Sequence, residues 1–276
     1  MLLSLSRRYI FLANRKAAST SIETEFGPEC EIVAGIAAAK FAKHPLTGRG
    51  GKHTTYRELR AIFDPLFART LTIEHFCVFG IVREPIERLW SYFAYQARWP
   101  EAKPHTVGRE FEAFVRRAVE ARSKSPRDTV ETQHDFFRDE QGAIRINYLA
   151  RLDNLARSLE TLRDATGLDF TRAAATRLNV SSADPPKLAD TGLRRAVRER
   201  FAEDYELYES KCDRLLAAPL AGRRLNPESA LRWMLSGPHA FDLAASVAWK
   251  LRQRRARDPD FRISDLLRAI DRGEPE

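Results

Sequence analysis

Two short apolar runs, at residues 8–13 (which hold "YIFLA") and at 76–82 ("FCVFGIV"), each pass directly into a helical pattern. Runs of this length, rich in aromatic and β-branched residues, read as buried strands. The first is followed by "STSIETEF", in which Thr20 and Glu23 have capping-box spacing. The second is followed by "REPIERLWSYFAYQ", with Pro85 suited to a first helical turn. Strand, tight turn and helix in repetition predict an α/β fold whose central sheet is mostly parallel and flanked by helices. A third run, "AIRINYL" at 143–149, leads into a helix running from an Asp153 cap to a Gly167 stop, with Leu152, Leu155, Leu159 and Leu162 as its packing stripe.

Further along, "EFEAFVRRAVEA" and "LRRAVRERFAEDYELYESKC" have amphipathic helical periodicity, and Val197, Phe201, Tyr205, Tyr208 and Cys212 line one stripe of the latter. The segments "KHPLTGRGGKHTTY" and "NVSSADPPKLADTG" are rich in glycine, proline and hydroxyl residues and read as loops, where sites concentrate. Composition changes after "APLAGRRLNP", so that residues 228–276 read as a helical appendage. Its segment "WKLRQRRAR" carries Lys250, Arg252, Arg254, Arg255 and Arg257. That is either a solvated helix face or a weak contact for an anionic membrane surface.

The chain has 276 residues, 43% of them hydrophobic, enough for a substantial core. A formal charge of +8 favours an anionic ligand without choosing among nucleotide, acidic glycan, nucleic acid and lipid. Cys30, Cys77 and Cys212 are odd in number and without a CxxC pair, so neither a disulfide framework nor a zinc site is indicated. The opening "MLLSLSRRYIF" is too short an apolar run for a signal peptide, and no later stretch reaches the length of a membrane span. The expected setting is cytoplasmic.

At the first strand-to-helix turn lies "NRKAASTSIE". A helix N-terminus after a strand aims unpaired backbone amides at one point with the positive end of the helix dipole behind them, which suits phosphate. Ala17 and Ala18 let the backbone approach, Ser19, Thr20 and Ser21 can donate hydrogen bonds, and Lys16 adds a compact charge. The Walker pattern GxxxxGK[ST] is absent, which weakens a nucleotide-kinase reading. Alone, the stretch also fits a serine-rich helix cap with a solvated lysine. In "VREPIERLWSYF", Arg83 stands at the second strand end and Ser91 eight positions later on a face shared with Glu84 and Arg88. Arginine and hydroxyl together make a second anion pocket.

The two motifs resemble the 5'-phosphosulfate loop and the 3'-phosphate motif of sulfotransferases that use 3'-phosphoadenosine 5'-phosphosulfate (PAPS), especially the carbohydrate enzymes of the uronyl 2-O and chondroitin type. "INYLARLDNL" and "LNVSSADPPKLADTGLRRAVRERFAEDYELYE" are similar to that family's third strand, nucleotide-covering loop and closing helix. The resemblance implies a P-loop-like three-layer fold in a domain over residues 1–219, with a helical extension over 220–276. It implies PAPS as co-substrate, PAP as product and no required metal. Lys16 would contact the phosphosulfate bridge and stabilise charge on the leaving phosphate. Arg15 and the residues Ala17, Ala18, Ser19, Thr20 and Ser21 would form the 5'-phosphate cradle, Arg83 and Ser91 the 3'-phosphate pocket, and Ser181 a contact from its loop. Arg15 departs from the proline that many members carry there, and no membrane anchor of the kind common in Golgi relatives is expected.

Sulfuryl transfer to an alcohol needs a base for the hydroxyl proton and positive charge on the departing phosphate. His53, between the two nucleotide motifs and before Thr54 and Thr55, is the candidate base, since imidazole with a reference pKa of ~6.5 accepts a proton at neutral pH. Glu58 and Glu84 are the acids to consider in its place. An exposed loop histidine beside Lys52 is the plain alternative. The stretch 95–137, with Tyr95, Arg98, Trp99, Lys103, Arg127 and His134, mixes aromatics with charge as an acidic saccharide acceptor would require. Nucleic acid is not the expected partner; a noncatalytic nucleic-acid or membrane-surface binder remains the competing class.

Overall fold

A computed structural model describes residues 1–4, 7–27, 30, 32–33, 53–60, 72–96, 104–120, 130–175 and 186–219. Its centre is a five-stranded sheet of β1 (Leu2–Ser4), β2 (Tyr9–Leu12), β3 (Ile32–Val33), β4 (Cys77–Val82) and β5 (Tyr148–Arg151), in the order β3-β1-β2-β4-β5. The strands β2, β4 and β5 are parallel neighbours, pairing Leu12 with Gly80 and Val82 with Arg151. β1 and β3 complete one edge in antiparallel pairing, so the sheet is mixed. The link from β1 to β2 is too short for the crossover that parallel strands need, and Arg8 supplies the positive φ of 54° at its turn.

Alternation along the strands builds the two faces. Leu2, Tyr9, Phe11, Phe79, Ile81 and Tyr148 point to a core shared with α1 (Ser19–Phe26) and α5 (Leu155–Thr166), and with Phe170 before α6 (Arg172–Ala175). Leu3, Ile10, Leu12, Val78, Val82 and Leu149 point the opposite way, against Phe136 and Phe137 of α4 (Gln133–Phe137). The layering is therefore helix, sheet, helix. A third cluster joins α2 (Pro85–Gln96), α3 (Pro104–Glu120) and α7 (Thr191–Arg200) through Trp90, Phe93, Phe111, Val115 and Val197.

Several local expectations change. The first helix is capped by Ala18 without a side-chain hydrogen bond, so Thr20 and Glu23 form no capping box. Glu23 instead lies 3.3 Å from the amino group of Met1, a buried pairing. The strand expected over 143–149 is β5 and begins only at Tyr148. Asp153 does not cap α5; its carboxylate holds Arg151 at 2.9 Å. Gly167 ends the helix in left-handed backbone as predicted, and Pro85 opens α2. The long closing helix breaks at Phe201 into α7, α8 (Ala202–Glu206) and a π-helical turn over Leu207–Lys211, while Val197, Phe201, Tyr205 and Tyr208 remain buried. Residues 220–276, and with them the proposed extension and its basic segment, lie outside the described residues.

Candidate active site

Because β2 and β4 are adjacent and parallel, the turns leaving their C-terminal ends emerge side by side. Open α/β sheets place ligands at such ends. The first turn, residues 15–18, has two non-glycine residues in left-handed backbone, Lys16 at φ 61° and Ala18 at φ 52°. That conformation costs L-residues roughly 1–2 kcal/mol each. It also turns successive N–H groups toward a common point, the concavity that binds anions. Ala17, Ser19 and Ser21 are buried behind it, whereas the Arg15 side chain is exposed.

The second turn delivers Arg83. Burial lowers its guanidinium from the ordinary value, with Glu87 opposing at 3.5 Å. Burial, and then the neighbouring Arg83 charge, lower the Lys16 ammonium as well. Two partly desolvated cations at the mouths of adjacent strands, one lowering the other, form a site that an anion would relieve. The Lys16 ammonium lies 4.2 Å over the ring of Tyr95, which is 73% exposed at the end of α2. Ser91 is buried two turns into the same helix.

His53 joins this group through the first strand. Its Nδ1 lies 2.7 Å from the carbonyl oxygen of Ala13, just after β2 and two residues before the first turn. A carbonyl can only accept, so Nδ1 carries the hydrogen and the neutral ring presents Nε2 as its basic atom. Of the acids considered in its place, Glu58 caps the helical turn at 56–60 by accepting from Thr55 N–H at 2.8 Å and Thr55 Oγ1 at 3.0 Å. Glu84 accepts from Glu87 N–H at 2.8 Å, and burial holds its carboxyl above the usual carboxylate range. Both carboxylates are engaged in shaping helix starts. His134 donates its N–H to Asp204 at 2.8 Å and lies at the start of α4.

Beneath both turns is a polar layer that periodicity does not reveal. Gln133, Asn14, Arg88 and Asp204 are all buried. The Arg88 guanidinium donates from Nε to the Arg15 carbonyl at 3.2 Å and from Nη1 to the Glu131 carbonyl at 2.6 Å. Arg88 therefore holds the underside of the first turn.

Ser181, Arg98, Trp99, Lys103 and Arg127 lie outside the described residues. Among the described residues, no group of three or more His, Cys, Asp or Glu side chains is placed to hold a metal ion, and no helix is long and apolar enough to cross a membrane.

No curated protein and no solved structure matches the chain significantly. Residues 38–210 match the model of the Sulfotransferase family. The matched stretch contains His53, Arg83, Ser91, Gln133 and Asp204 and begins after the Lys16 turn. It spans more than half of the sequence, and on that ground the chain belongs to the Sulfotransferase family.

Proposed function

We propose that the chain is a PAPS-dependent sulfotransferase that sulfates a hydroxyl of a saccharide or related acceptor, with His53 as the base. The observation that carries this reading is that Lys16 and Arg83 leave the ends of adjacent parallel strands, near enough that the Arg83 charge adds to burial in lowering the Lys16 ammonium. The left-handed turn around Lys16 suits a 5'-phosphate, and Arg83 with Ser91 suits a 3'-phosphate, which gives the site its P-loop-like character without a Walker sequence. PAPS, when bound, supplies an activated sulfuryl group whose departure leaves charge on a phosphate. In this reading Lys16 stabilises that charge.

The His53 Nδ1–H donates to the Ala13 carbonyl, which makes Nε2 the basic atom, and in this reading Nε2 takes the acceptor's hydroxyl proton. Tyr95 offers an exposed aromatic face beside Lys16, chemistry that favours a sugar ring as acceptor.

The test is transfer of labelled sulfuryl from PAPS to a panel of saccharides. His53→Ala should lower turnover by roughly a hundredfold to ten-thousandfold with PAP affinity nearly unchanged. Lys16→Ala should also lose turnover more than PAP affinity, because the charge it meets develops in the transition state. Full turnover in either variant on an acceptor that the parent sulfates would contradict the assigned role.

A further inference from the structure

Gln133, the first residue of α4, is fully buried, and its side-chain amide bonds the two turns of the site. Its Oε1 accepts from the Arg83 N–H at 2.9 Å and from Asn14 Nδ2 at 3.1 Å. Its Nε2 donates to the Arg83 carbonyl at 2.7 Å. The side-chain amide thus pairs with both backbone groups of Arg83 as an adjacent strand would, while holding the residue that opens the Lys16 turn. Asn14 Nδ2 also donates to the Ile81 carbonyl at 3.2 Å, so β4 is tied to the first turn twice. The amide orientation is unambiguous, because only an oxygen can face the Arg83 N–H.

The far side of this amide is equally constrained. Asp204, from α8, accepts the His134 N–H at 2.8 Å and so fixes the N-terminus of α4. The same carboxylate lies 3.9 Å from Arg88 Nη1, and Arg88 holds the Arg15 carbonyl. One buried acid therefore anchors both the helix that carries Gln133 and the backbone of the Lys16 turn. The Asp204 oxygen facing Arg88 accepts no hydrogen bond, so its link to Arg88 is an ion pair, whereas the amide of Gln133 is hydrogen-bonded through both its oxygen and its nitrogen.

We propose that Gln133 is a positioning residue that sets the separation of the two anion subsites, around Lys16 and at Arg83, and thereby sets the preference for a nucleotide bearing both 5'- and 3'-phosphates. The inference rests on the PAPS reading above. Apolar packing alone would not require both backbone groups of Arg83 and the side chain of Asn14 to converge on one amide.

The test uses the full chain, with PAP and AMP as probes measured by calorimetry. Gln133→Met keeps the length and most of the volume of the side chain while deleting its hydrogen bonds; Gln133→Ala serves as a second variant. In the parent, PAP binds more tightly than AMP. In both variants PAP affinity should fall by about tenfold or more while AMP affinity changes by less than about threefold, so the ratio collapses. The double variant Arg83→Ala with Gln133→Met should bind PAP no more weakly than Arg83→Ala alone, since Gln133 acts through Arg83.

A purely structural role would lower the melting temperature and weaken both nucleotides alike, or give additive losses in the double variant, and either result overturns the inference. A parent with no preference for PAP removes the PAPS reading and the inference together. A parental ratio kept in the folded variants removes the inference alone.

Discussion

Lys16 shows how far single residues can be read in advance. Its position after an apolar run and before small hydroxyl residues marks an anion-binding turn, yet nothing in those letters demands left-handed backbone at Lys16 and Ala18, where glycine would be expected. The strain becomes intelligible only with Arg88 donating to the Arg15 carbonyl from 73 positions away. Glu84 is a comparable case. Burial holds its carboxyl above the usual carboxylate range, so the folded protein binds that proton more tightly than the unfolded chain does. The contribution to stability is then full at acidic pH and falls as pH rises through the interval above the unfolded carboxylate value. Glu84→Gln retains an oxygen for the Glu87 N–H and removes the titration. Melting curves of the two proteins should diverge in favour of the variant on moving from acidic to neutral pH; a pH-independent difference would show that the ionised carboxylate is not disfavoured.

At the level of elements, the legible parts were those whose periodicity is long or whose punctuation is strong. The β2 and β4 runs, Pro85 at the start of α2, Gly167 at the end of α5 and the stripe of α3 all carry their structure locally. The five-residue helix α4 does not, because one turn and a half cannot display a helical period. Its position is set instead by Thr132 and Asp204 at its N-terminus and by Phe137 lying against Gly80. A Cβ at residue 80 would stand 2.4 Å from Phe137 Cε1 and 2.6 Å from Cζ. Gly80→Ala should therefore force the fully buried Phe137 ring off its seat and destabilise the fold by about 1–3 kcal/mol, as overpacking does. Chemical denaturation with an unchanged m-value measures it. Parental stability in that variant would mean that α4 is not held against β4.

For the molecule as a whole, the sheet order brings together residues that the sequence keeps far apart. Lys16 and Arg83 are far apart in the sequence, and the C-terminal ends of two adjacent parallel strands bring them together, with His53 tied to the same end through Ala13. The strand-and-helix grammar predicted those strand ends, whereas the buried amide layer beneath them depends on α4 and α8 and had no local signature. A charge of +8 would attract many polyanions, so affinity for a nucleotide alone distinguishes little. The 3'-phosphate does, since it is the group assigned to Arg83. The decisive measurement is the thermal shift of the full chain with PAP, AMP and ATP at matched concentration and salt, because a ligand that binds only the folded state raises the melting temperature with its affinity. PAP should stabilise the protein far more than AMP or ATP, and Arg83→Ala should abolish that advantage; equal shifts for PAP and AMP in the parent would contradict the account.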